Sequence, residues 1–374
     1  MRHVYLHIPF CAKTCPYCNF YVHGGSRRRQ EEFVEALCKE IMLAYERYVF
    51  LPETVYIGGG TPSMLSVDLF EKILGTLKAS CLRNTHPREF TIEVNPATVT
   101  HKKAKTWIDA GINRISLGVQ SFIEEELRLL GRQHKPSDVA ETFDLLRSVG
   151  FSNINVDLIF GLPNQSVRSW KHNLQEAIAL APEHISAYAL SGEEDTPFFQ
   201  ALESGVYHRY HDVEIDLFNF TYDFLTAHGY EPYEISNFAR SHFQSLHNLG
   251  YWNSEDYLGF GPSAVSTVNG QRWKNIPSTD AYVLNINRCQ SYGDLSCIQV
   301  EKETLTPETR RKERIMLQIR TSAGINPNDP SLNLDSKVLN QLFDENLVTY
   351  SHENTILLTK KGRLVADSVA LLLI

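Results

Sequence analysis

Much that other protein classes require is missing from this 374-residue chain. No segment reaches the roughly 20 apolar residues that span a bilayer, so no transmembrane helix is expected. The N-terminus runs into a strand-like segment without an apolar h-region or cleavage site, so no secretory leader is expected and the cytoplasm is the anticipated location. Positive charge is not in excess. Lys and Arg total 36 against 44 Asp and Glu, a net charge of −8, and no global field recruits nucleic acid or anionic membrane. The seven cysteines do not pair off as a disulfide framework would, which fits a reducing compartment. No internal repeat or low-complexity tract stands out. Finally, the tight group Cys11, Cys15 and Cys18 has no fourth member.

That last absence is the informative one. The spacing is C-x3-C-x2-C just past a strand. Iron–sulfur cubanes are held by thiolates, normally four, so three thiolates leave one iron open to another ligand. Zinc is the competing reading, with His7 or His23 as a fourth ligand. Zinc ribbons pair two separated C-x2-C knuckles, and no second knuckle exists here. The scattered Cys38, Cys81, Cys289 and Cys297 read as small buried apolar residues. Arg27-Arg28-Arg29, beside Gly24-Gly25-Ser26, reads either as a solvated loop or as a clamp on an anionic ligand.

Apolar periodicity predicts strands at 4–8, 54–57, 90–94, 112–118, 154–160 and 184–190. Helices are predicted at 31–48, from Ser66 to Leu77, between Thr100 and Gly111, and over 123–130, 137–149 and 166–180. Such alternation indicates a parallel sheet covered by helices, and right-handed crossovers curl it into an open or closed barrel. The ends of its strands are polar or glycine-rich, one position each on a shared rim: Cys11, Gly58-Gly59-Gly60-Thr61, Glu93, Gln120, Asp157 and Ser191. Beyond about residue 205 the pattern changes. Helices are predicted at 209–228 and 301–320, with an aromatic-, Gly- and Asn-rich stretch over 230–275. A helix and short strand follow over 335–350. Last come a strand, a Lys360-Lys361-Gly362 turn and an apolar helix over 354–374, an order that suggests a winged-helix-like module.

Together Cys11-x3-Cys15-x-Tyr17-Cys18, Gly58-Gly59-Gly60-Thr61-Pro62 and the six β/α units resemble a radical SAM enzyme. The finer resemblance is to the HemN-like branch of that superfamily. It is carried by Tyr5-x-His7-Ile8-Pro9-Phe10-Cys11, the glycine run, the run Ser116 to Phe122 and the run Asp157 to Pro163, and it covers nearly the whole chain. The resemblance implies an α/β fold: a partial (β/α)6 TIM-like barrel over residues 1–230 and a smaller α+β HemN-type domain over 231–374. It implies a [4Fe-4S] cluster on Cys11, Cys15 and Cys18. S-adenosylmethionine would occupy the open iron, contacted by Tyr5, Tyr17, Gly59, Gly60, Thr61, Glu93, Gln120, Arg132 and Asp157. The residue types agree. Glycines let backbone approach closely, Glu93, Gln120 and Asp157 offer acceptors, and Arg132 offers a planar fork for a carboxylate. Taken singly, Glu93 reads as a strand-end charge, Gln120 as a turn cap and Arg132 as a surface residue. Asp157, inside an apolar strand, needs a partner on any reading.

Within the branch, two functions compete. One is oxygen-independent coproporphyrinogen III dehydrogenase, and the other is the HemW-type haem chaperone, which binds haem and delivers it to other proteins. The dehydrogenase pattern is C-x3-C-x2-C-x-C, whereas Phe20 stands at the last position here, as in HemW-type sequences. Dehydrogenases also carry a longer extension than the ten residues ahead of Cys11. His247-Asn248-Leu249-Gly250-Tyr251-Trp252 resembles the HemW-type H-N-x-x-Y-W signature and makes His247 a candidate axial ligand of haem iron. Capping and core packing are the plainer reading of that hexapeptide, and His242 and Cys289 are lesser haem candidates. Glu313 to Arg320 only approximates the group's E-x-x-M-L-G-L-R-like run, since Gln318 replaces a glycine. The resemblance favours a chaperone without dehydrogenase activity. Its implied partners are haem, haem-receiving proteins (membrane respiratory proteins at the family level) and an electron donor, with no nucleic acid. A homodimer is left open.

Overall fold

A computed structural model describes residues 1–208 and 211–374. Strands and helices alternate through the first half: β1 (His3–Ile8), α1 (Arg27–Tyr45), β2 (Thr54–Gly59), α2 (Val67–Ala79), β3 (Glu89–Val94), α3 (His101–Asp109), β4 (Arg114–Gln120), α4 (Glu124–Leu129), α5 (Pro136–Val149), β5 (Ile154–Phe160), α6 (Val167–Ala179) and β6 (His184–Ala189). β1 to β6 pair in parallel and in chain order. All six predicted strands are present.

Side chains alternate across a strand, and here the two faces differ in chemistry. One set is apolar and fully buried under the helices: Val4, Leu6 and Ile8 on β1, Val55 and Ile57 on β2, Ile115, Leu117 and Val119 on β4, Val156 and Leu158 on β5. Each such side chain contributes roughly 1.5–3 kcal/mol on burial. The alternate set is polar: His3, Tyr5 and His7; Thr54 and Tyr56; Glu89, Thr91 and Glu93; Arg114 and Ser116; Asn155 and Asp157; His184 and Ser186. An α/β barrel with this pattern has a helix-facing apolar layer and a polar interior.

The chain continues through α7 (Pro197–Glu203), α8 (His211–Ala227), β7 (Glu231–Pro232), β8 (Asn237–Ala239), α9 (Leu246–Trp252), β9 (Tyr257–Phe260), β10 (Val265–Val268), β11 (Gln271–Asn275), α10 (Thr279–Arg288), β12 (Gln299–Thr304), α11 (Pro307–Gln318), α12 (Ser336–Asp344), β13 (Val348–Tyr350), β14 (Ile356–Leu358), α13 (Lys360–Leu364) and α14 (Ala366–Leu373). Residues 209 and 210 of the predicted 209–228 helix lie outside the described residues. Among the described residues the sheet has twelve strands in the order β12-β11-β10-β9-β1-β2-β3-β4-β5-β6-β8-β7. β9 runs parallel beside β1, and β8 runs antiparallel beside β6. Residues on both sides of the expected 230/231 boundary therefore share one sheet. A second apolar cluster forms from Ile315 onward, around Ile319, Leu342, Ile356 and Val369.

Three sequence expectations change. Residues 301–304 are strand, not helix, because β12 pairs with β11 and sets Glu303 and Glu301 against Arg272 and Lys274. Arg27–Arg29 is neither loop nor anion clamp but the first turn of α1, capped by Ser26. Arg27 pairs with Glu31 and Asp68, Arg28 with Glu32, and Arg29 with Asp280. Lys360-Lys361-Gly362 opens α13 behind the Thr359 cap.

α9 lies across the N-terminal edge of the barrel. Glu89, the first residue of β3, accepts the backbone N–H groups of Leu246 and His247 at 2.7 and 3.1 Å. It also accepts the Ser245 hydroxyl at 3.2 Å. A buried carboxylate thereby satisfies the orphan donors of a helix start.

Candidate functional site

The cysteine loop follows β1 and closes on itself. Cys11 donates its N–H to the His23 carbonyl at 3.0 Å, and His23 donates back to Pro9 at 2.8 Å. The glycine run packs against this loop. A Cβ on Gly60 would lie 2.8 Å from the Phe10 carbonyl oxygen, and Gly59, at φ +108°, faces the His7 ring. Both glycines are thus needed to seat the loop at the barrel mouth. Pro16 rests against Gly131 in the α4–α5 connection.

Cys11, Cys15, Tyr17, Cys18, Gly59, Gly60, Thr61, Glu93, Gln120, Arg132 and Asp157 all line one cavity of about 560 Å³ at the C-terminal ends of the strands. Tyr5 and His247 do not. They line an adjoining aromatic cavity of about 630 Å³. Asn19, Phe20, Tyr56, Glu93 and Asn248 belong to the walls of both. Phe20 is 65% exposed.

Hydrogen bonds fix the polar side chains. Glu93 accepts from the Tyr56 hydroxyl at 2.8 Å and the Gly59 N–H at 3.0 Å, while burial pushes its pKa up to about 7. Asp157 accepts from the Ser116 hydroxyl at 3.0 Å and the Asn155 amide at 2.7 Å, and burial raises its pKa as well. Gln120 sits at φ +68° at a β-bulge between β4 and β5, which re-aims its side chain toward Arg132 across Gly118. Arg132 donates to the Gly118 carbonyl at 2.7 Å and lies 4.0 Å from the Cys15 sulfur. Its Nε is buried with no partner among the described residues.

These residues fit the implied cofactors. The three thiols share a cavity with an arginine fork that retains a spare donor. Burial raises the pKa values of Cys11 and Cys18, which keeps both as thiols until a metal draws off the proton. Both candidate fourth ligands for zinc are engaged at their two ring nitrogens. His7 is bonded to Tyr5 and the Tyr21 carbonyl, and His23 to the Gly24 carbonyl and Thr279. Among the described residues, no three His, Cys, Asp or Glu side chains converge on a single-ion position.

His247 is 1% exposed, with Nδ1 2.6 Å from Thr54 Oγ1 and Nε2 2.9 Å from Tyr251 Oη. Of the lesser haem candidates, neither His242 nor Cys289 lines either cavity. Cys38, Cys81 and Cys289 are buried, but Cys297 is exposed, contrary to expectation. Arg114, Asn155, Ser186 and Tyr188 also line the cluster-loop cavity, though the motifs did not include them, as does Ser116 at the head of the run Ser116 to Phe122. The polar alternation within apolar strands was the signal that marks them.

Residues 5–177 match the family described as the Radical SAM superfamily. The chain is 33% identical to "Heme chaperone HemW" of Bacillus subtilis over 99% of its own length and 98% of the relative's. It is 38% identical to the Escherichia coli protein of that name, over 71% and 70%. Among solved structures it is similar to coproporphyrinogen III oxidase (HemN) from Escherichia coli, with a TM-score of 0.84 and 23% identity, over 100% of this chain and 90% of that one. At that identity the likeness is one of fold.

Proposed function

The chain belongs to the HemW family of the radical SAM superfamily, and from that premise we propose that it is a haem chaperone, binding haem and delivering it to target proteins. The observation that carries the reading is the end-to-end match to "Heme chaperone HemW". The two joined cavities support it: one suits a cluster with S-adenosylmethionine, the other a planar aromatic cargo. Cys11, Cys15 and Cys18 would hold a [4Fe-4S] cluster through their thiolates. When bound, that pair of cofactors supplies one-electron radical chemistry. Arg132 would fork onto a carboxylate through its free donors. Glu93, poised near pH 7, would be drawn to its ionised form by a cationic amine. Asp157 and the Gln120 carbonyl would accept hydrogen bonds from hydroxyl groups.

The cargo would lie in the aromatic cavity among Tyr5, Tyr21, Tyr251, Tyr257 and Phe20. Arg272 and Arg310, bonded to Glu313 and Asp256, keep further donors for its carboxylates. His247 would ligate the iron through Nε2, displacing Tyr251, while Thr54 holds the ring at Nδ1. The proposed setting is the cytoplasm, with an electron donor and haem-receiving proteins as partners. The test is an anaerobic haem titration of wild type beside Cys15→Ala, followed by transfer to an apo-haemoprotein. Saturable binding and transfer are expected. Failure to bind haem, or anaerobic decarboxylation of coproporphyrinogen III, would overturn the reading.

A further inference from the structure

Two thiols outside the cysteine loop meet at the far end of α10. Cys289 follows the last residue of that helix and is buried, while Cys297 closes the short helical turn over Tyr292–Ile298 and is exposed. Their sulfurs are 3.7 Å apart. The intervening turn is held in place by Asp294, which accepts from the Gln290 and Ser291 N–H groups at 2.6 and 2.9 Å. Tyr292 packs edge-on against Tyr48 of the α1–β2 connection. The two sulfurs therefore face each other across a preformed, anchored loop rather than a floppy one.

We propose that Cys289 and Cys297 form a reversible intramolecular disulfide by exchange with a low-molecular-weight disulfide, a modification site separate from the cluster thiols. The exposed Cys297 attacks as thiolate, having lost its proton to solvent. It bonds to one sulfur of the small disulfide and expels the other half as a thiolate, which takes up that proton. The Cys289 sulfur then gives up its proton and attacks the mixed-disulfide sulfur of Cys297, releasing the second half as a thiol. The protein loses two electrons and two protons, and the small disulfide gains both. Closure moves the sulfurs from 3.7 Å to a bonded distance of about 2.0 Å. Burial first, and then the neighbouring Cys297, push the Cys289 pKa up to about 12. Cys289 is therefore the resolving thiol rather than the first to react, and its proximity compensates for its low acidity.

Position gives the site its relevance. The other end of α10 clasps the strand of loop that follows Cys18. The Thr279 hydroxyl donates to His23 Nε2 at 2.7 Å, since His23 Nδ1 donates to the Gly24 carbonyl, and the Thr279 N–H donates to the Tyr21 hydroxyl at 2.7 Å. Glu40 accepts from Tyr282 in the middle of the same helix at 2.5 Å, holding α10 in register while its C-terminal end is cross-linked.

The test uses the cluster-loaded protein under anaerobic conditions with oxidised glutathione. Remaining thiols are then alkylated and the peptides weighed without reduction. Both cysteines fall on the single tryptic peptide 289–302. In wild type that peptide should be lighter by two hydrogens and refuse alkylation, and a dithiol reductant should restore it. Cys289→Ser should stop at a glutathione adduct on Cys297, and Cys297→Ser should leave Cys289 reduced. Iron and labile sulfide should be retained, which shows that the oxidised thiols are not those of the loop. A wild-type peptide that stays fully alkylatable, or stops at the glutathione adduct, overturns the proposal. None of these outcomes depends on haem transfer.

Discussion

The His247 imidazole meets the Thr54 hydroxyl across 2.6 Å, Nδ1 to Oγ1, inside the N-terminal edge of the barrel. The same hydroxyl lies 2.8 Å from His3 Nδ1, so three side chains from β1, β2 and α9 are tied together. Burial holds His247 neutral, lowering its pKa to about 3. A neutral ring fixed at one nitrogen leaves the other to Tyr251, and under the proposed ligation haem iron would compete with Tyr251 for it.

Tyr251→Phe should therefore tighten haem binding. Removing one neutral hydrogen bond of about 0.5–1.5 kcal/mol from the free state raises affinity by roughly 2- to 10-fold. His247→Ala should weaken binding and shift the haem spectrum. An anaerobic titration decides, and unchanged spectra in both variants would remove His247 as the iron ligand.

Cys15→Ala should abolish the cluster and spare the fold. Cys15 is only partly buried and stands outside every apolar cluster. Iron analysis should fall to background while thermal stability changes by less than about 0.5–1 kcal/mol. Collapse of the circular dichroism spectrum would contradict the separation of loop from core.

Arg132→Lys should lower S-adenosylmethionine affinity by about 10-fold, because a point charge cannot reproduce a planar fork. The Gly118 carbonyl, now accepting at 2.7 Å, would keep one donor. Calorimetry on cluster-loaded protein reads this directly. Equal affinity in the two proteins would place the carboxylate elsewhere.

Glu40 makes stability depend on pH. It is buried and accepts from Tyr282, the Gly261 N–H and Asn275, yet burial raises its pKa from 4.5 to about 7. Between about 4.5 and 7 the unfolded chain has released this proton and the folded chain has not. The folded state binds more protons there, so stability falls as pH rises through that window, by on the order of 3 kcal/mol in all. Glu40→Gln should flatten that slope in urea unfolding series, whatever constant offset the lost acceptor adds. An unaltered slope would assign the dependence to another group.

The first six strands were legible because each pairs an apolar face with covering helices, and local periodicity reports that directly. The loop cysteines and glycines were legible as motifs. Hidden in the same strands, but readable by period 2, was the polar interior: Arg114, Ser116, Asn155 and Ser186 alternate with Ile115, Val156 and Ile185. β9 to β12 were not legible. Their strands are short and mixed in polarity, and only pairing to β1 and to one another gives Glu303 and Lys274 their cross-strand partners.

By itself, the sequence determined the β/α order, the three-thiol loop and the residue types on the rim, since these depend on local spacing. Tertiary structure alone decided that two cavities meet inside that rim. It separated Tyr5 and His247 from the cluster-loop residues and put Phe20 and Asn248 on the walls common to both cavities. It also brought Cys289 to Cys297. Those outcomes depend on long-range closure, with α9 docking on Glu89 and β9 on β1, and no local pattern carries that information.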